Sequence, residues 1–293
     1  MKRFKNWQKA ALSSEKAMVK TRRSKVVTSL ALCFFLVLAL AFPFGPLLPW
    51  SPLKLGYNHV GYARADVYVG EQRSLSNDYG LVDRMMNEAE AFHGLSYKRR
   101  VRVIECKDWS ACKRSLPWMG NLNGLGGVTL ATGDVIYLTP KLKEKQFSIA
   151  EFLRHELSHA LISQNTSIRS ALKLNQQPWF NEGVAVSFGR QNDYVKRDEF
   201  LARAKQADLI GYLEPDKRAA PWDQRFAYPA QRYFIEYLRA RFGEERFQQF
   251  LRKNIVQPTG WRATFAESYS LPFEQVVQGY SEALKTGQWT PAA

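Results

Sequence analysis

Residues 151–164 read EFLRHELSHALISQ and hold two of the chain's four histidines, four positions apart with a glutamate between them. Ser148 followed by Glu151 matches a capping box, in which a hydroxyl and a carboxylate satisfy free N–H groups at a helix start. No Pro or Gly interrupts the run from Ile149 until well past His159. Phe152, Leu153, Leu157, Ala160, Leu161 and Ile162 give it a broad apolar surface, so a helix is expected. On a helix, His155 and His159 share one face a turn apart, and two imidazoles can converge on one ion. Glu156 projects beside them, where a carboxylate can take a proton from water activated by a metal. The competing reading is an amphipathic helix whose histidines are solvated or hydrogen-bonded. That reading has to produce H-E-x-x-H by accident in a chain whose other histidines, His59 and His93, lie far upstream.

Catalytic zinc commonly takes three protein ligands and keeps one position open. A histidine six residues after His159 is excluded, because that position is Asn165. Downstream, residues 177–190 read QPWFNEGVAVSFGR. Pro178 suits the first turn of a second helix, and Trp179, Phe180, Val184, Ala185 and Phe188 supply its apolar face. Glu182 among these neighbours is costly unless it is paired with a cation or coordinates a metal. Its own residues leave both alternatives open.

Taken together, H-E-L-S-H followed about twenty residues later by P-W-F-N-E-G-V-A resembles the gluzincins, the glutamate-ligand zincins of the peptidase MA clan. More narrowly, the pair is similar to the small bacterial peptidase MA-like domains. The resemblance implies one Zn2+ per chain held by His155, His159 and Glu182, with Glu156 as general base. The interval between His159 and Glu182 is a few residues longer than in the aminopeptidase and thermolysin branches, and residues 165–177 are expected to form the loop that absorbs the excess. No G-x-M-E-N stretch occurs, so the feature that anchors a free amine in the aminopeptidase branch is missing and endopeptidase activity is expected.

Residues 81–95 have helical apolar spacing, residues 99–105 alternate basic and β-branched residues like a half-buried strand, and residues 126–140 read as two short strands joined through Thr132-Gly133-Asp134. In the family the strand before the motif helix pairs with substrate backbone through its free N–H and C=O groups. Val128 to Ala131 are the candidates for that edge, and a purely structural hairpin is the alternative. Residues 226–254 give two amphipathic helices about a turn at Gly243, and residues 267–284 add a third, as in the helical C-terminal half of the family. There a tyrosine just before the first such helix can donate to the oxyanion. Tyr228 matches that position, with Tyr233 as the fallback and core packing as the competing role for either.

Residues 26–50 carry no charge and are apolar enough to cross a bilayer. The 25 residues before them hold nine Lys or Arg against one acid, Glu15, and account for +8 of the chain's net +15. That asymmetry predicts a single-pass membrane protein with a cytosolic basic tail (1–25), an anchor (26–50) and the rest outside, periplasmic or extracellular. Ala39-Leu40-Ala41 also resembles a signal peptidase site, which would release a soluble peptidase. No nucleic-acid motif accompanies the basic residues, so no nucleic acid is expected; the partners are a protein or peptide substrate and the membrane. Cys106 and Cys112, with five residues between them, read as a small-loop disulfide in an oxidising compartment or as two free thiols.

Residues 51–293 suit one α+β domain. A small mixed sheet, the motif helix packed on it and a helical C-terminal half make a zincin-like catalytic domain, with residues 51–74 as an extended lead-in. A tethered zinc and peptide binder that cuts nothing, and a structural zinc or metal-free domain, are the rival readings. The acceptor that a ligand histidine normally needs on its other ring nitrogen is not legible, since position 186, one turn past Glu182, is Val186.

Overall fold

The computed structural model describes residues 26–37, 48–51, 54, 56–70, 77–191, 195–214 and 223–291. The chain divides into two units, 1–55 and 56–293. In the first, residues 26–37 form a helix with exposed side chains, and Leu48–Trp50 form a short 3-10 turn. Among the described residues no helix is long and apolar enough to cross a membrane. The basic tail 1–25, the middle of the expected anchor (38–47) and the candidate cleavage site all lie outside the described residues.

The second unit begins with strands where an extended lead-in was expected. Tyr57–Gly61 (β1) and Ala65–Gly70 (β2) pair antiparallel, and β2 continues parallel to Val101–Glu105 (β3). β1 is largely exposed and lacks a strong apolar alternation that would mark it as a strand, whereas β2 buries Ala65, Val67 and Val69. Arg100 stitches the intervening turn by donating to the carbonyls of Tyr62 and Ala63 at 2.9 and 2.6 Å. Gly127–Thr129 (β4) and Val135–Leu138 (β5) form the expected hairpin, giving the strand order β1-β2-β3-β5-β4. β4 is thus the end strand of a mixed sheet.

Val82–His93 (α1) and the motif helix Ile149–Asn165 (α4) cover one face of this sheet. Val67, Val103, Ile136, Met86, Leu153 and Leu157 form the shared core. Two shorter helices, Trp109–Ser115 (α2) and Lys141–Glu144 (α3), lie between. Ser148 caps α4 by accepting from the Glu151 N–H at 3.3 Å.

The stretch expected to be a loop (165–177) instead contains a helix, Ile168–Leu174 (α5). Its seven residues include no Gly or Pro, and Ser167 caps it by accepting from Ser170 N at 3.1 Å. Then come Pro178–Gly189 (α6), Arg197–Ala204 (α7) and Leu209–Leu213 (α8). Gln224–Phe242 (α9) and Glu244–Val256 (α10) turn at Gly243 as expected. The single helix expected over 267–284 is two, Trp261–Tyr269 (α11) and Phe273–Thr286 (α12). Pro272 separates them, since its ring cannot continue a helix.

Trp179 and Phe180 at the start of α6 plug the aromatic core of the helical half, with Trp179 against Phe234, Phe250 and Phe273 at centroid distances of 5.6, 5.9 and 5.0 Å. Gly183 lets α9 approach closely, for an added Cβ would lie 3.0 Å from the Gln231 carbonyl oxygen. The motif helix serves both cores: Leu153 and Leu157 face the sheet side, and Ile162 the helical half. A cleft opens where it meets α6.

Candidate metal centre

Two local geometries meet at this cleft. On α4 the i, i+4 spacing stacks His155 and His159, whose Nε2 atoms lie 3.0 Å apart. On α6 the aromatic anchors hold the helix start, so that Glu182 turns toward α4. Its carboxylate oxygens lie 3.6 Å from His155 Nε2 and 3.7 Å from His159 Nε2. One ligand atom from each of the three falls within 4.8 Å of the others. A tetrahedral zinc with bonds of about 2.0–2.1 Å needs ligand atoms about 3.3 Å apart. The observed distances bracket that value, and the donor set of two imidazoles and a carboxylate matches zinc chemistry. The residues present fit the ion.

Glu156 is buried, with 4% exposure, between β4 and the histidines. Burial raises its carboxyl to about 7; the nearby His159 and a hydrogen bond from Thr129 pull it down, and Glu182 pushes it up. A group poised near neutrality suits general base work. Thr129 Oγ1 lies 2.7 Å from Glu156 Oε2 and 3.0 Å from the Glu156 carbonyl oxygen. Burial also drives His155 well below the ordinary histidine range, with His159 adding to the effect, so the ring is neutral, the state a metal ligand requires.

A candidate for the acceptor that the sequence left unassigned stands just beyond α6. Arg190 ends this helix in the left-handed conformation, φ 55°, and turns Gln191 back beneath His155. His155 Nδ1 and both amide atoms of Gln191 are buried without a hydrogen-bond partner, and the Gln191 side chain is the neighbour that favours a protonated His155. Arg232 Nη1 holds the Gln191 carbonyl at 3.1 Å. Glutamine is uncharged and nine positions past Glu182, so neither charge nor spacing marks it in the sequence.

A cavity of about 630 Å³ opens over these residues. Its walls are Gly124 to Thr129 and Ala131 on the strand side, Ala171, Leu172 and Leu174 of α5 opposite, and Arg225 and Tyr228 from α9. Tyr228 lies inside α9 instead of just before it. Tyr233 packs on Phe200, centroids 4.8 Å apart, and does not line the cavity. The free backbone groups of the edge sit slightly upstream of the expected Val128 to Ala131. Leu130 N–H is already bonded to Val135 of β5, as is Thr139 N–H to Gly126. In an antiparallel ladder the pairing alternates. Gly127 and Thr129 therefore turn their N–H and C=O groups to the open side.

No protein-family model and no curated protein matches the chain. Among solved structures, yeast LTA4 hydrolase in complex with bestatin is similar at 15% identity and a TM-score of 0.42, over 81% of this chain and 40% of that one. A mutant M1 zinc metallopeptidase from Deinococcus radiodurans is similar at 14% identity and a TM-score of 0.41, over 80% of this chain and 52% of that one. The chain thus spans about half the length of these structures or less.

Proposed function

We propose that this chain is a zinc-dependent peptidase that cleaves internal peptide bonds. One observation carries the reading: His155, His159 and Glu182 converge with zinc-ligand spacing, and a buried carboxylate, Glu156, stands beside them under an open strand edge. Zinc, when bound, supplies Lewis-acid polarisation of a carbonyl and acidifies water to a pKa of about 7. The residues do the rest. Gly127 and Thr129 offer main-chain groups to align an extended substrate. Glu156 accepts the proton of the attacking water and returns it to the leaving amine as the C–N bond breaks. Tyr228, in the cavity wall, is assigned as the donor to the oxyanion.

Among the described residues the only acids lining the cavity are Glu156 and Glu182. Both have roles already, so no further carboxylate remains to anchor a free α-amino group, which supports cleavage of internal bonds. The rival non-catalytic binder has no use for a buried base at this position. The apolar run 26–50 after a basic tail supports a single-pass anchor with the tail in the cytosol. The Cys106–Cys112 disulfide, Cα atoms 5.4 Å apart, fits an oxidising compartment outside the membrane.

Purified wild type should carry about one zinc per chain, and His155→Ala or His159→Ala should abolish it. Glu156→Gln should keep zinc and fold yet lose cleavage of unfolded proteins by about two to four orders of magnitude; Tyr228→Phe should lower kcat and leave zinc in place. Zinc retained in the double-histidine variant sinks the ligand assignment. Equal cleavage by wild type and Glu156→Gln sinks the mechanism.

A further inference from the structure

We infer that Thr129 and Gly127 form a seat that fixes the orientation of Glu156, making Thr129 a positioning residue for the base; this rests on the peptidase reading above. The two residues are alternate positions on β4, so their Cα–Cβ directions share one face of the strand, and that face lies against the motif helix. At Gly127 a Cβ would fall 2.6 Å from Glu156 Oε1, 2.7 Å from its Cγ and 2.8 Å from its Cδ. The glutamate side chain therefore lies directly over bare backbone, and any side chain at 127 would displace it. At Thr129 the hydroxyl lies 2.7 Å from Oε2, the other oxygen of the same carboxylate.

These contacts divide the labour between the two oxygens. Thr129 donates to Oε2, and a hydrogen bond to an ionised acceptor is among the stronger kinds. Oε1, over Gly127, is left to receive and return the proton. When Oε1 carries that proton, Oε2 is still a carbonyl-type acceptor, so the Thr129 bond survives both protonation states of the base. The hydroxyl also lies 3.0 Å from the Glu156 carbonyl oxygen, which tethers it to the motif helix when the carboxylate moves.

The same two residues turn their main-chain groups to the open side of β4, where an extended substrate would pair. Substrate alignment and base orientation thus share one short strand. Residues 127–129 set the height of the scissile bond relative to Oε1 through the rigid backbone of the sheet.

The test uses the zinc-loaded full chain and two probes. Acetohydroxamate binding is followed by calorimetry, because a hydroxamate chelates zinc while donating to the adjacent base. Turnover of dye-labelled casein gives kcat and KM. Thr129→Val keeps the shape and removes the hydroxyl. It should leave zinc content unchanged, weaken acetohydroxamate and lower kcat by about ten- to a hundredfold, the size of one hydrogen bond to a charged group, and hold KM within about twofold. Thr129→Ser should restore both. Gly127→Ala should lower both by pushing Oε1 aside. Wild-type values for Thr129→Val in both probes, with zinc in place, overturn the seat and leave the peptidase reading standing. A wild type that binds neither zinc nor acetohydroxamate overturns that reading itself, and the seat with it.

Discussion

His155 Nδ1 and the Gln191 amide are both buried and unpartnered, an arrangement that costs about 1–3 kcal/mol for each unsatisfied group. A metal on Nε2 fixes the tautomer with the proton on Nδ1, and the Gln191 side-chain oxygen Oε1 is then the acceptor at hand. Gln191→Ala should weaken zinc about ten- to a hundredfold in competition with a chelator, and Gln191→Glu should restore it. An unchanged zinc affinity in Gln191→Ala removes Gln191 from the site. Arg190, left-handed at φ 55°, is the strained position that aims Gln191, as strain often is near functional groups.

The motif helix α4 is held from behind by α1 through His93. Its Nδ1 donates to Ala89 O at 2.7 Å and its Nε2 accepts from Ser158 Oγ at 2.7 Å. Complete burial lowers this histidine from 6.5 to about 4, opposed by the bond to Ala89 and reinforced by His159 and Arg239. The unfolded chain therefore binds a proton that the folded one refuses between those two values. Stability is full above pH 6.5 and falls as the pH drops toward 4. By the linkage relation the loss by about pH 5 is on the order of 2 kcal/mol. His155 shifts the same way, so the difference between metal-free wild type and His93→Gln isolates His93. The variant should show a flatter fall of Tm between about pH 7 and about pH 5. Parallel curves would assign the acid sensitivity elsewhere.

At the scale of the whole molecule, the catalytic reading and the topology reading are independent. The apolar run 26–50 and the nine basic residues before it place the domain outside the cytosol in our proposal. A reporter fused after Ala293 should be active only there, alkaline extraction should leave the protein in the membrane, and Cys106 and Cys112 should resist alkylation until reduced. A cytosolic reporter overturns the topology; a soluble form beginning near Phe42 points to signal cleavage instead.

The chain's sequence by itself determined what is local. The i, i+4 pairing of His155 and His159, the Ser148 cap, the turn at Gly243 and the hairpin through Gly133 follow from backbone geometry within a few residues. Glu182 was legible as a costly carboxylate in an apolar helix start. Tertiary packing decided the rest. β2 exists because β3 offers it a partner, and β1 because β2 does. Helix α5 replaced an expected loop because its cap and propensity outweigh its polar flanks, and its Leu172 and Leu174 then wall the cleft. Thr129 meets Glu156 across 27 positions of chain, and Gln191 stands near His155 only because α6 packs against α4. Contacts of that range are set by how cores pack side to side, which residue spacing along one strand or helix does not encode.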